Sequence, residues 1–420
     1  MNYLDFQCQV TTKSSGHTTA RGIIMKRGLA LEGGGAKGAY HIGVYKALLE
    51  RGYEFDGFVG TSIGAINAAI LAQGEFEKAL DLWSNISPNQ IFIEEQQPLL
   101  QLAEAKATRL NVEAFFDAKN ALSNTIHNHG ISTDRMMEFL HEHIDESKVR
   151  KSGKDFGLVT ISLSERKPHE LMLEEIPHGK LVHYIMASAS FPGFSPVTID
   201  GKKHLDGSLY NNCPVNLLDR LGYQEIIAIR VGSPPGIKYK RIDKMGNVKL
   251  IAPKENLGEV LNFTAESTKS NIKLGYHDGL RFTDKLRGNY YYIKVDNVET
   301  FNEKLMALDD QVIDQVKKAL NIRGVAGRRI LFEKIIPRIS LYLMLSKSCD
   351  YADFVIALLE YRARQNGIDR FQVYDHIHLS SLIKQGNTDN SGKTKERVPG
   401  TLIHTMKQDL AIQILVDNLF

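Results

Sequence analysis

The chain has 420 residues, 52 Lys and Arg against 49 Asp and Glu for a formal net charge of +3, and 43% hydrophobic with 24% charged residues. This lies near the globular average of roughly 45–50% apolar and 25% charged, which excludes a disordered, collagenous or coiled-coil chain, and a near-neutral balance gives no whole-molecule attraction for nucleic acid. Three dispersed cysteines, Cys8, Cys213 and Cys349, neither build a disulfide framework nor show paired zinc spacing, so a reducing, cytoplasmic setting fits.

Residues 1–25 are polar and rich in Thr and Ser, an extension without an apolar stretch of secretory-signal length. No run approaches the ~20 apolar residues of a membrane-spanning helix. Residues 28–31 form a short apolar run that meets Gly33, Gly34 and Gly35, and Tyr40, Val44, Ala47 and Leu48 follow at helical spacing; this reads as strand, tight turn, helix. The unit repeats with a strand over Phe55 to Val59, a turn over Gly60 to Gly64 and a helix over Ala65 to Ala72. Residues 75–150 read as mainly helical. Later strands are expected at 156–163, 169–173, 203–206, 225–231 and 290–295. Such alternation implies an α/β fold, a mostly parallel sheet covered by helices on both faces. Beyond about residue 325 the apolar spacing is helical and no strand is expected. A last helix is expected over 401–420, and the polar stretch 384–400 reads as a flexible loop.

The sharpest chemical signal is Gly60-Thr61-Ser62-Ile63-Gly64 between a strand and a helix. This is the pattern of a nucleophile elbow, in which a strained turn holds a serine out at the sheet edge and the flanking glycines make room for it. The helix that starts there points its positive end at the serine. The bland reading is a glycine-rich turn with a capping serine. The preceding turn, Gly33-Gly34-Gly35-Ala36-Lys37-Gly38, would lie on the same edge, where its amides can converge on a carbonyl oxygen attacked by Ser62. The same six residues also fit a dinucleotide fingerprint, which needs an acidic residue at the tip of the next strand. Asp56 lies at that strand's start instead.

A serine nucleophile needs a base. None of the 14 histidines stands in a short loop like that of a late triad histidine, His277 being the nearest candidate. A carboxylate acting directly is the alternative, and Asp206-Gly207-Ser208 follows a strand-like segment, although Asp-Gly is also a common turn pair.

Taken in order, the glycine turn 33–38, the elbow 60–64, the segment Ser188-Ala189-Ser190-Phe191-Pro192 and Asp206-Gly207-Ser208 resemble the patatin-like phospholipase family over about residues 27–300. The resemblance implies a three-layer α/β/α sandwich with a small C-terminal helical appendage, a Ser–Asp dyad at Ser62 and Asp206, and an oxyanion hole at Gly33, Gly34 and Gly35 with Gly38. It further implies a lipid acyl hydrolase acting on phospholipid or lysophospholipid, with no metal and no cofactor. Lys37 falls where the family has a basic residue; otherwise it is a solvated charge. The expected division is an extension over 1–25, a catalytic domain over 26–325 and a helical region over 326–420. A competing reading is a lipid-binding or scaffolding module with negligible turnover.

Six basic residues between 236 and 254 (Lys238, Lys240, Arg241, Lys244, Lys249, Lys254) against Asp243 form either a peripheral contact for an anionic bilayer, at about 1 kcal/mol per basic residue, or a solvated loop. The C-terminal helices can serve as a lid, a regulatory cap or an oligomer interface. His127 with His129, and His141 with His143, stand two apart, a spacing that does not face one helix side. His204, two before Asp206, shares its strand face.

Overall fold

A computed structural model describes residues 25–92, 132–191, 193–232, 245–324, 328–346, 348–389 and 405–420. These fall into two compact units, one built from the chain up to Ile42 and from Gly52–Ile272, the other from Gly43–Arg51 and Lys273–Phe420.

In the first unit eight strands form one mixed sheet: β1 (Arg27–Leu31), β2 (Gly57–Thr61), β3 (Asp155–Ser162), β4 (Lys167–Met172), β5 (Val197–Ile199), β6 (Lys202–Asp206), β7 (Glu225–Ile229) and β8 (Val248–Ile251). Their order is β5-β6-β3-β2-β1-β7-β8, with β4 beside β3. The five strands β3-β2-β1-β7-β8 run parallel, while β4 and β6 meet β3 antiparallel and β5 meets β6 antiparallel. Every residue of β1, β2 and β7 is buried. Strands covered on both faces read as continuous apolar runs rather than alternating ones. Ala30, Val59, Val159, Ile226 and Ala228 pack with Leu217 and Leu218 of the helix Val215–Arg220, and the intervening Leu29, Leu31, Phe58 and Ile227 are buried on the opposite face.

Helices α1 (Ala39–Glu50) and α2 (Ile63–Ala72) follow β1 and β2. All ten residues of α2 are buried, as suits a helix that is apolar all round. By contrast α3 (Phe76–Asn85) buries Ala79 and Trp83 and leaves a polar side outward. Next come α4 (Asp134–His143) and, before β5, α5 (Leu181–Ser188). Strand β2 extends through Thr61 and α2 starts at Ile63, so the expected five-residue turn contracts to Ser62 alone. The helical expectation for 75–150 holds where residues are described; 93–131, with His127 and His129, lie outside them. Also outside are Cys8, Pro192 and four of the six basic residues, Lys238, Lys240, Arg241 and Lys244. Of the remaining two, Lys249 sits on β8 and pairs with Glu225.

The second unit is mainly helical around its own core, in which Phe301, Leu331, Phe354, Leu358, Ile383 and Leu415 are buried. It also contains a two-stranded parallel sheet, β9 (Tyr292–Lys294) with β10 (Val373–Asp375). A three-residue strand such as β10 is too short to show a period in sequence. The segment 384–400 differs from the expected loop: a helix runs over His376–Asp389, anchored by buried Leu379 and Ile383, and the rest lies outside the described residues. The last helix spans Thr405–Leu419. Among the described residues no helix is long and apolar enough to cross a membrane.

A single carboxylate organises the start of β9. Glu360 is 7% exposed, and its Oε1 accepts the backbone N–H groups of Asn289, Tyr290 and Tyr291, each at 2.7 Å. Glu360→Ala removes the acceptor of one buried donor, Tyr291, and of two that water can reach, Asn289 and Tyr290. Thermal or urea unfolding should show the second unit weakened by about 1–3 kcal/mol.

Candidate active site

Strand β3 acts as a ruler for the site. Thr61 at the end of β2 pairs with Val159, and Asp206 at the end of β6 pairs with Thr160, the next residue along. Val159 and Thr160 meet β4 on the opposite edge, so β2 and β6 approach β3 from the same side, end toward end. The residue after Thr61 and the last residue of β6 are thereby brought together across 144 positions of chain.

Ser62 has φ 58° and ψ −129°, a left-handed backbone that a non-glycine residue adopts at a cost of order 1–3 kcal/mol. Its neighbours permit the turn because they lack side chains. A Cβ on Gly60 would fall 2.2 Å from the Gly64 backbone, and one on Gly64 would fall 2.2 Å from the Leu31 carbonyl oxygen. The Ser62 N–H donates to Ser188 Oγ at 3.0 Å, and the Ser188 hydroxyl donates to the Val159 carbonyl at 2.6 Å. Ser188, at the end of α5, thus ties the elbow to β3. The carbonyl of Ser62 then accepts the Ala65 N–H at 2.9 Å, opening α2.

Asp206 is fully buried. Its backbone N–H donates to Ser190 at 3.0 Å, and Oδ1 accepts the Ser208 N–H at 2.7 Å. Oδ2 is buried without a hydrogen-bond partner among the described residues. Burial raises the carboxyl from 3.8 to about 6, a rise limited by the Ser62 hydroxyl and the Ser208 groups, which favour the ionised form. Gly207 leaves room for the turn, since a Cβ there would lie 2.3 Å from the Val159 carbonyl oxygen.

Gly33, Gly34 and Gly35 border the same cavity as Ser62 and Asp206. The N–H of Gly33 already donates to the Asn212 carbonyl at 3.1 Å. Gly35 has φ 57°, and a Cβ on it would lie 2.1 Å from the Val260 carbonyl oxygen, which makes glycine obligatory at that position. Gly38 does not border the cavity: its carbonyl accepts Asn67 Nδ2 at 3.0 Å and a Cβ on it would meet Ile63 at 2.7 Å. Its role is close helix packing. Lys37 is buried and donates to the Gly232 carbonyl at 3.0 Å, not a solvated charge.

Beneath the turn lies a network with only weak signals in sequence. Glu32 is fully buried; its carboxylate accepts the Val231 N–H and Asn212 Nδ2 at 3.3 Å, and the same amide donates to the Gly33 carbonyl at 3.1 Å. A lone acid closing the apolar run of β1 was the available sign. The cavity is otherwise walled by Phe92, Phe191, Phe194, Leu261 and Phe263, with Val260 against the glycine turn.

The remaining candidates have structural partners. His277, in the second unit, packs against Tyr276, Tyr292 and Phe371, with Nδ1 2.8 Å from the Lys273 carbonyl. The His204 ring packs edge-on to His169 and Tyr184, and burial lowers its pKa. Asp56 accepts the Arg27 N–H at 2.9 Å just before β2, at the end of the sheet away from the glycine turn. No cluster suited to a metal ion, around His141 and His143 or elsewhere, occurs among the described residues.

The family model for patatin-like phospholipases matches residues 29–219. The chain is 30% identical over 213 residues to patatin-like phospholipase domain-containing protein 6 of Mus musculus, covering 49% of this chain and 13% of that protein. It is 27% identical over 230 residues to lysophospholipase nte1 of Aspergillus terreus, covering 54% and 13%. The chain therefore matches only a small part of the length of these relatives. Among solved structures it aligns with VipD from Legionella pneumophila at TM-score 0.38 and 13% identity, covering 99% of this chain and 96% of that one.

A carboxyl held at about 6 instead of 3.8 binds its proton more tightly folded than unfolded. Its presence therefore costs nothing below pH 3.8, costs more as pH rises through that interval, and opposes folding by roughly 3 kcal/mol above it. Asp206→Asn keeps an acceptor for Ser208 and removes the charge. Thermal unfolding should show the variant more stable than the parent at pH 8, by up to roughly 3 kcal/mol, with the difference shrinking at pH 4.

Proposed function

We propose that this protein, whose residues 29–219 match the family model for patatin-like phospholipases, is a serine-dependent lipid acyl hydrolase of the phospholipase A or lysophospholipase type, with Ser62 as nucleophile and Asp206 as general base. The observation that carries this reading is the meeting of a strained serine, a buried carboxyl with one unpartnered oxygen and a glycine turn at the polar end of one apolar cavity.

In the proposed reaction Asp206 takes the Ser62 proton on Oδ2 as Oγ attacks the ester carbonyl. The oxyanion is held by the Gly34 and Gly35 amides, whose contribution in comparable sites is about 3–4 kcal/mol per donor. Its collapse breaks the ester C–O bond, and the proton on Asp206 passes to the departing alcohol. Asp206 then removes a proton from water as it attacks the acyl-serine, and collapse of the second tetrahedral species frees the fatty acid and returns a proton to Ser62. A base near 6 suits this task better than a carboxylate at its ordinary value, because proton transfer is most efficient when the catalytic pKa lies near working pH. The substrate is a phospholipid or lysophospholipid, approached at a bilayer surface through the basic segment 236–254.

A fluorophosphonate probe should label the parent and fail to label Ser62→Ala, whose unfolding midpoint should stay near the parent's. Labelling of Ser62→Ala at the parent rate, or none of the parent, sinks the enzyme reading and leaves the lipid-binding module. For an Asp206 base held at about 6, kcat/KM for a neutral ester should fall tenfold per pH unit below that value and level off above it. A profile flat from pH 4 to 8 would remove Asp206 from the scheme.

A further inference from the structure

Next to the reaction cavity lies a second, small apolar one between α2, α3 and α4. The two share three wall side chains, Ile63, Met136 and Phe263. The Phe263 ring stands between the cavities' own aromatics, stacked on Trp83 of the second with centroids 6.2 Å apart and edge-on to Phe92 of the first at 5.6 Å.

Apart from Asn67 and Trp83, the second cavity is walled by aliphatic, Met and Phe side chains. Both polar side chains are already engaged: Trp83 Nε1 donates to Asn67 Oδ1 at 2.9 Å, and Asn67 Nδ2 donates to the Gly38 carbonyl at 3.0 Å and lies 3.2 Å from His41 Nδ1. An apolar space with no polar partner on offer stays dry and favours hydrocarbon. The first cavity keeps its polar groups, Ser62, Asp206, Ser208 and Asn212, beside the glycine turn. An acyl chain with its carbonyl at Ser62 can leave those groups and extend along the apolar wall past Ile63, Met136 and Phe263, which both cavities share.

Building on the acyl-hydrolase reading, we infer that the second cavity is the distal half of the acyl site, and that Met136 and Phe263 form a partition which long chains displace and short chains never reach. Met136 is unbranched, with three rotatable bonds, and yields readily. Burying each further methylene contributes ~0.8 kcal/mol, about a fourfold change in binding. Chain-length preference is then set by how many carbons pass the partition.

Trp83 is the only tryptophan in the chain, so its emission reports on this cavity without any turnover. In the full-length Ser62→Ala protein, palmitic acid should shift Trp83 emission and hexanoic acid should not; no response to either, or equal response to both, overturns the inference. In the parent, p-nitrophenyl esters of four to sixteen carbons give the kinetic counterpart. Ile70→Phe, which fills the second cavity alone, should leave kcat/KM for the four-carbon ester within about twofold and lower that for the sixteen-carbon ester tenfold or more. Should that variant fold poorly, Met136→Ala decides the matter, with a several-fold gain confined to the long esters. Length-independent effects in the variants overturn the inference while the hydrolase reading stands. Hydrolysis of no ester at any length defeats the hydrolase reading, and the emission shift still tests the cavity separately.

Discussion

The site depends on the register of one strand. Because Val159 holds Thr61 and Thr160 holds Asp206, the elbow and the aspartate are neighbours by virtue of backbone hydrogen bonds rather than side-chain attraction. A slip of one residue on either side would turn the partner side chains to the other face. What secures the register is the unbroken burial of the central strands together with the antiparallel return of β4 and β6, which clamps β3 on both edges. Ser188 completes the arrangement by linking the Ser62 amide to the carbonyl of Val159, so strand β3 supports Ser62 twice.

Two features of the site oppose stability. Ser62 occupies a backbone region that side chains avoid, and Asp206 is a fully buried carboxyl. Strain and desolvation of this kind persist only when the surroundings over-determine them. Here the surroundings are glycines packed to backbone contact at 60, 64 and 207, where any side chain would displace the strand ends. The same burial that destabilises the carboxylate makes it a stronger base, so its cost to folding and its suitability as a base have one origin.

Much of this was legible in sequence because the decisive features are local. Strand, glycine turn and helix announce themselves within about ten residues, and Gly60 to Gly64 carries the steric logic of the elbow in its own composition. What was not legible is long-range. That Gly33 spends its amide on Asn212 requires knowing that the loop after β6 folds back onto β1. Gly38 shares a glycine-rich run with Gly35, yet one packs a helix and the other borders the cavity, a difference that only the course of the backbone decides. The partnership of Glu32 with Asn212 spans 180 positions, and neither residue type announces it.

That partnership bears on the proposed oxyanion role of the glycine turn. Glycines are chosen for conformational freedom, yet an oxyanion site works only if its donors need no reorganisation as charge develops. The freedom is removed from below. Glu32 accepts from the Val231 backbone and the Asn212 amide, Asn212 donates to the Gly33 carbonyl, and the Val260 carbonyl accepts the Ala36 N–H at 2.7 Å. Together these bonds join the turn to three stretches of chain, around residues 212, 231 and 260, so no single loop movement relaxes all of them. A buried carboxylate is costly unless it is paired and hydrogen-bonded. Glu32 has Arg230 Nε at 3.7 Å from Oε1, and its bonds to Val231 and Asn212 at the same time tie the base of the glycine turn to two other loops.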